Sequence, residues 1–138
     1  MTLDAAAART LASWHEMVAA GDLSRVATLC APEAVFRSPV AFTPYRRADL
    51  VAAFLQQAVQ ALEEFRYHRS FVDGERSVVL EFSAKVGDKE LKGIDMIRFD
   101  EAGRIEEFEV MVRPASGLQA LGAEMARRMG PILARLGQ

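Results

Sequence analysis

The chain has 138 residues, enough for one compact domain with its own core and too few for two. Hydrophobic residues make up 51% and charged residues 26%, which excludes a disordered chain, and 17 Lys+Arg against 19 Asp+Glu leave a net charge of −2, without the basic footprint of a nucleic-acid binder. No apolar run approaches the length of a bilayer-spanning helix, Met1-Thr2-Leu3-Asp4 lacks a basic signal-peptide start, and the single Cys30 excludes a disulfide framework, so a cytoplasmic protein with no membrane partner is the expectation.

From Asp4 to Ala20 the chain carries Leu11, Trp14, Met17 and Val18 at helical spacing, and Gly21 ends this helix because glycine takes the left-handed cap conformation at little cost. Asp22 is placed to cap a second, shorter helix to about Cys30, which Ala31-Pro32 stops; Glu33 to Ser38 then reads as a short strand. Pro44 fits the first turn of a third helix running to about Leu62, with Leu50, Val51, Phe54, Leu55 and Val59 as its buried stripe. From Phe65 the period changes to two, and strands are expected at Phe65–Val72, Ser77–Val86, Glu90–Phe99 and Ile105–Arg113. Asp73-Gly74, Gly87-Asp88 and Asp100–Gly103 are hairpin turns between antiparallel neighbours. After Pro114, Ser116 is expected to cap a final helix carrying Leu118, Leu121, Met125, Met129, Ile132 and Leu136, which Gly130-Pro131 should kink or break. Helices first and a strand meander afterwards predict an α+β fold, with helices on one face of an antiparallel sheet; the hairpins leave no room for the crossovers of a parallel α/β fold.

The sequence contains no phosphate-loop, dinucleotide-binding, zincin or nucleophile-elbow string, and no cofactor is expected. His15 and His68 stand on different elements, so a histidine-rich metal site is not expected, although a carboxylate site stays open. Asn is absent, which removes Asn-based triads, and Cys30 at a helix end reads as packing. Arg46-Arg47 and Arg127-Arg128 read as solvated charges, and His15 as a surface helix residue.

The informative residue is Asp95. Alternation puts Leu91, Gly93, Asp95, Ile97 and Phe99 on one side of their strand, matching the inward sets Val78-Leu80-Phe82 and Phe108-Val110-Val112. An ionised, unpaired carboxylate there is unfavourable by several kcal/mol. Three placements are open: a pocket wall, where desolvation raises its pKa and suits it to proton transfer; a buried pair with Arg69; or the outer face, if the strand phase slips by one residue. Phe65 and Phe71 favour Tyr67 and Arg69 inward beside it. Asp95 is thus the candidate acid/base and Tyr67 a weaker catalytic candidate. The candidate ligand contacts are Trp14, Phe54, Arg69 and Leu80, together with Phe82, Ile97, Phe108 and Val110 from the sheet.

Four stretches carry a family resemblance: Ala20-Gly21-Asp22-Leu23; Leu29-Cys30-Ala31-Pro32-Glu33-Ala34-Val35-Phe36-Arg37-Ser38-Pro39; Tyr45-Arg46-Arg47-Ala48-Asp49-Leu50; and Gly93-Ile94-Asp95-Met96-Ile97-Arg98-Phe99 through Ile105. In their order and spacing, over roughly residues 5–113, the chain resembles the nuclear transport factor 2-like superfamily in its SnoaL-like branch. The resemblance implies a curved antiparallel sheet wrapped around the N-terminal helices as a cone with a central pocket, and homodimers packed through the outer sheet face. One domain is expected over residues 1–138, its core at 5–113 and a helical extension at 116–136 that covers the pocket mouth or lengthens a dimer contact.

Laid on ketosteroid isomerase, a member of that superfamily, the pocket acid falls on Asp95, the catalytic base on Ser38 and the oxyanion tyrosine on Trp14. Ser38 thereby joins the candidate ligand contacts, but a serine without a partner base cannot take a carbon-bound proton, which disfavours that route. The Asp-Arg-Asp set of the epoxide-hydrolase branch is not matched, since Gly93 stands two before Asp95 and the last strand offers Phe108, Val110 and Val112. Polyketide-cyclase relatives use a pocket carboxylate for acid/base work, which Asp95 leaves open. The expected partner is a small apolar molecule, handled by an isomerase, cyclase or hydrolase, held by a non-catalytic binder, or replaced by packing in a dimeric interaction module.

Overall fold

The structure is a computed structural model and describes residues 2–137, so residues 1 and 138 of the expected domain lie outside it. Helix α1 (Ala5–Ala20) begins where Asp4 Oδ1 accepts the Ala7 amide at 2.8 Å and ends at Gly21, whose φ of 66° is the left-handed cap expected there. The expected second helix is reduced to one 3-10 turn at Val26–Leu29, and strand β1 starts earlier than expected, covering Cys30–Arg37. Pro32 accounts for both differences: it lacks an amide donor and drives the residue before it into extended backbone. Strand β2 (Tyr45–Arg46) pairs with β1, and helix α2 (Ala48–Ala61) therefore starts after Arg47 rather than at Pro44.

Strands β3 (Glu63–Asp73), β4 (Ser77–Val86), β5 (Lys89–Phe99) and β6 (Ile105–Arg113) form the expected meander, and helix α3 (Ala115–Arg135) follows. The sheet order is β2-β1-β6-β5-β4-β3. Every neighbouring pair is antiparallel except β1 and β6, which run parallel, so the curved sheet is mixed rather than wholly antiparallel. Helix α3 is not broken at Pro131 but stays helical to Arg135. Gly130 before it has no Cβ to meet the proline ring, which relieves the restriction a proline places on its predecessor. Its first turn has no side-chain cap, and Pro114 rather than Ser116 stands at the N-cap.

Strand β3 carries two register shifts. Between Tyr67↔Phe82 and Ser70↔Leu80, three β3 residues span two of β4, and the same occurs between Glu63↔Lys85 and Arg66↔Ser83. An inserted residue reverses which side chains face in. Tyr67 stays inward while Arg69 and Phe71 turn out, which corrects the expectation that Arg69 faces inward. The core lies between the sheet's inner face and the helices, where Phe82, Phe99, Phe108 and Leu50 are fully buried. Among the described residues no helix is long and apolar enough to cross a membrane.

Candidate active site

Asp95 sits mid-strand in β5, opposite Leu80 of β4 and Val110 of β6, with its side chain on the inner face and 5% exposed. Its position follows from the period-two pattern of β5, where alternate residues from Leu91 to Phe99 are buried. Tyr67 donates its hydroxyl proton to Asp95 Oδ2 at 2.6 Å, and Trp14 Nε1–H of α1 donates to Tyr67 Oη at 2.9 Å. Desolvation pushes the Asp95 carboxyl up to about 7, against the opposing pull of the Tyr67 hydrogen bond. The Tyr67 phenol is raised far above its ordinary range by burial first, then by the Asp95 charge and the hydrogen bond to it, with Trp14 pulling the other way. His15, half-buried, meets Tyr67 edge-on with ring centroids 5.2 Å apart, and burial lowers its pKa, which favours the neutral ring.

Arg69 takes no part in this group. Its guanidinium grips Glu81 on the outer face through Nε at 2.9 Å and Nη2 at 2.7 Å, and Lys92 reaches the same carboxylate at 2.9 Å. Those two cations, Arg69 first, hold the Glu81 carboxyl down to about 2. The buried Asp95–Arg69 pair that the sequence left open is therefore not formed, and a neutral phenol stands in its place.

Asp95 opens onto a cavity of about 320 Å³ whose wall is almost wholly apolar. Trp14, Ser38, Phe54 and Tyr67 line it, as do Phe82, Phe108 and Val110. Leu80 and Ile97, expected at the ligand, instead lie in the closed core at 2% exposure each and do not reach the wall. Ser38 Oγ accepts the Val40 amide at 3.2 Å, a local turn, and no basic group bonds to it among the described residues. Helix α3 contributes Leu121, Met125, Met129 and Leu133 to one side of the cavity wall, with Gly122 against Val40 of the loop after β1.

Sequence reasoning missed Phe65 and Tyr45 in the wall, and the contribution of Pro39 and Val40. Phe65 could have been found from its alternation with Tyr67; the loop residues carry no periodic signal. Gly93 has a clear reason: a Cβ there would press on the Met111 carbonyl oxygen and come 2.6 Å from Phe82 Cζ, so its absence lets the Phe82 ring lie over the strand. Among the described residues Asp95 is the one formally charged side chain in the wall, and no cluster of three His, Cys, Asp or Glu residues could hold a metal. Such a corner can take up or give back a proton near neutral pH, and its negative form repels an anionic ligand.

The sequence pattern of the SnoaL-like domain matches residues 11–108. No curated protein matches the chain. Among solved structures, a steroid delta-isomerase from Pseudomonas aeruginosa is 58% identical, with a TM-score of 0.92 over 96% of this chain and 97% of that one. A protein with a cystatin-like fold from Silicibacter pomeroyi is 35% identical, with a TM-score of 0.85 over 91% and 90%. SalBIII, an epoxide hydrolase/cyclase-like enzyme of pyran ring formation in salinomycin, shares the fold at 14% identity, with a TM-score of 0.63 over 79% and 91%.

Proposed function

The chain belongs to the SnoaL-like domain family, and from that premise we propose that it is an acid–base enzyme acting on a small, uncharged, largely apolar carbonyl compound, with Asp95 moving the proton. The observation that carries the reading is a buried carboxylate whose hydrogen-bond partner is a neutral phenol and which opens onto an apolar cavity. A structural carboxylate in such a place is ordinarily paired with a cation. Leaving it unpaired maintains a proton affinity matched to catalysis near neutrality.

The name of the 58% identical Pseudomonas aeruginosa protein, a steroid delta-isomerase, supports a double-bond shift as the reaction type. In that step the ionised Asp95 takes a proton from a carbon beside a carbonyl. The C–H bond breaks, its electron pair moves onto the carbonyl oxygen as an enolate, and the acid then returns the proton to the far end of the conjugated system. Once Asp95 is protonated it no longer holds the Tyr67 hydroxyl as a charged acceptor does, and that hydroxyl becomes a donor for the oxygen that has gained charge. Ser38 is not the base in this reading, because its hydroxyl is engaged with the Val40 amide and lacks an activating partner. One carboxylate performs both halves of the shift.

The test is Asp95→Asn assayed with an apolar β,γ-unsaturated cyclic ketone. Turnover is expected to fall by about 10²-fold or more, the usual weight of a positioned acid/base. Ketone affinity, read from the emission of Trp14 in the cavity wall, should stay within about tenfold because shape and apolar contact survive. Unchanged turnover overturns the assignment, and a wild-type chain that binds such ketones without converting them is a binder instead.

A further inference from the structure

The Trp14–Tyr67–Asp95 chain has a direction, and its first member sets it. An indole N–H donates and accepts nothing. With Trp14 Nε1 at 2.9 Å, the Tyr67 oxygen must accept there, so its single proton points elsewhere, and Asp95 Oδ2 at 2.6 Å receives it. Among the described residues no buried side-chain polar atom lacks a partner, and Tyr67 is the donor bonded to the Asp95 carboxylate. Oδ1 is therefore the oxygen left to face the cavity.

We propose that Trp14 is a positioning residue: its indole N–H commits the Tyr67 hydroxyl to donate into the acid–base corner and prevents it from turning back toward α1. The inference rests on the reading of Asp95 as the proton-transfer group. A phenol that already accepts a hydrogen bond is a stronger donor, so Trp14 also favours the ionised form of Asp95 through Tyr67. Among the described residues the remaining surroundings supply no competing charge. Leu80 and Val110 flank Asp95 in the sheet, Phe54 of α2 and Met125 and Met129 of α3 face the cavity, and burial keeps the nearby His15 biased to its neutral form.

Trp14 is the single tryptophan of the chain, which makes an atomic test practical. Replacing tryptophan throughout with β-(3-benzothienyl)alanine exchanges the N–H for sulfur and keeps the shape. The readout is the titration of the Asp95 carboxyl carbon by ¹³C NMR in the protein without ligand, beside the unsubstituted protein and Tyr67→Phe. The Asp95 midpoint is expected to move up by roughly half a pH unit or more in the sulfur analogue and further in Tyr67→Phe. The amide spectrum remote from the site should be unchanged. A folded analogue with an unshifted or lowered midpoint overturns the proposal. Should the analogue fail to fold, Trp14→Phe removes the same donor and must raise the midpoint too; an unshifted midpoint there is equally fatal. Because no turnover is measured, this result stands apart from the catalytic test: an inert Asp95→Asn substitution refutes the enzyme reading, whereas a still midpoint refutes the role of Trp14.

Discussion

Asp95 links the chemistry of the cavity to the stability of the whole chain. Its carboxyl ordinarily titrates near 3.8 and is raised to about 7 in the fold by desolvation, with the Tyr67 hydrogen bond opposing. Between those values the folded chain holds a proton that the unfolded chain has lost. The contribution from this group is thus fully present below the unfolded value, declines as pH rises through the window, and is gone above the folded value. Its full size is on the order of 4 kcal/mol at most. Other groups act with the opposite sign: Glu81, held down to about 2 by Arg69 and Lys92, makes the fold lose stability on acidification below its ordinary value of 4.5, and His15, whose pKa burial lowers from 6.5, acts in the same sense. A difference measurement separates them. Urea unfolding of Asp95→Asn beside wild type should show wild type losing stability relative to the variant from pH 4 to 8, because the amide keeps the acceptor for Tyr67 and has no charge to desolvate. A difference independent of pH would mean that Asp95 does not change protonation in this range.

At the scale of elements, β5 is the strand on which the site depends, and its phase was legible because every inward residue from Leu91 to Phe99 is buried while Lys92, Met96 and Arg98 stay exposed. Gly93 is part of that design. It is opposite Phe82 and Val112, and the space a side chain would need is taken by the Phe82 ring and the Met111 carbonyl. Where glycine is replaceable, alanine stabilises by restricting the unfolded chain. Gly93→Ala should do the opposite and lower stability by about 1–3 kcal/mol in urea unfolding, the usual penalty of overpacking. A neutral or stabilising result would show that Phe82 has room to move. The neighbouring strand β3 was less legible. Its alternation from Phe65 through Phe71 continues in the sequence, but the residue inserted between Tyr67 and Ser70 reverses the faces, so Arg69 leaves the pocket. A bulge changes geometry without a characteristic composition at these residues, whereas the hairpin turns announce themselves through glycine with positive φ at Gly74, Gly87 and Gly103. The parallel pairing of β1 with β6 was illegible for another reason: it joins segments far apart in sequence, and local pattern carries no information about that.

For the whole molecule, the unused surface is the outer face of the sheet. Cross-strand pairing sets Val79 beside Met96 and Ile94 beside Met111, and the two methionines are 37% and 45% exposed. Around this apolar centre several charges are matched within the chain, Glu81 by Arg69 and Lys92, and Arg98 by Glu106 and Glu107, while among the described residues Glu109, cross-strand from Met96, forms no ion pair. A face with an apolar middle and a largely neutralised rim suits its own copy across a two-fold axis, since few unpaired charges must be desolvated. The family resemblance implies a homodimer, and this face is the one we propose for it. Sedimentation equilibrium at micromolar concentration is expected to give a dimer, and Met96→Lys combined with Met111→Lys a monomer, because the substitutions place like charges near the axis in a contact of roughly 800 Å² per partner. The cavity opens on the opposite side of the sheet, so the double variant should still quench Trp14 emission with the same apolar ketones. A wild-type chain that sediments as a monomer would leave this face without its second copy, while the cavity and its carboxylate would stand unchanged.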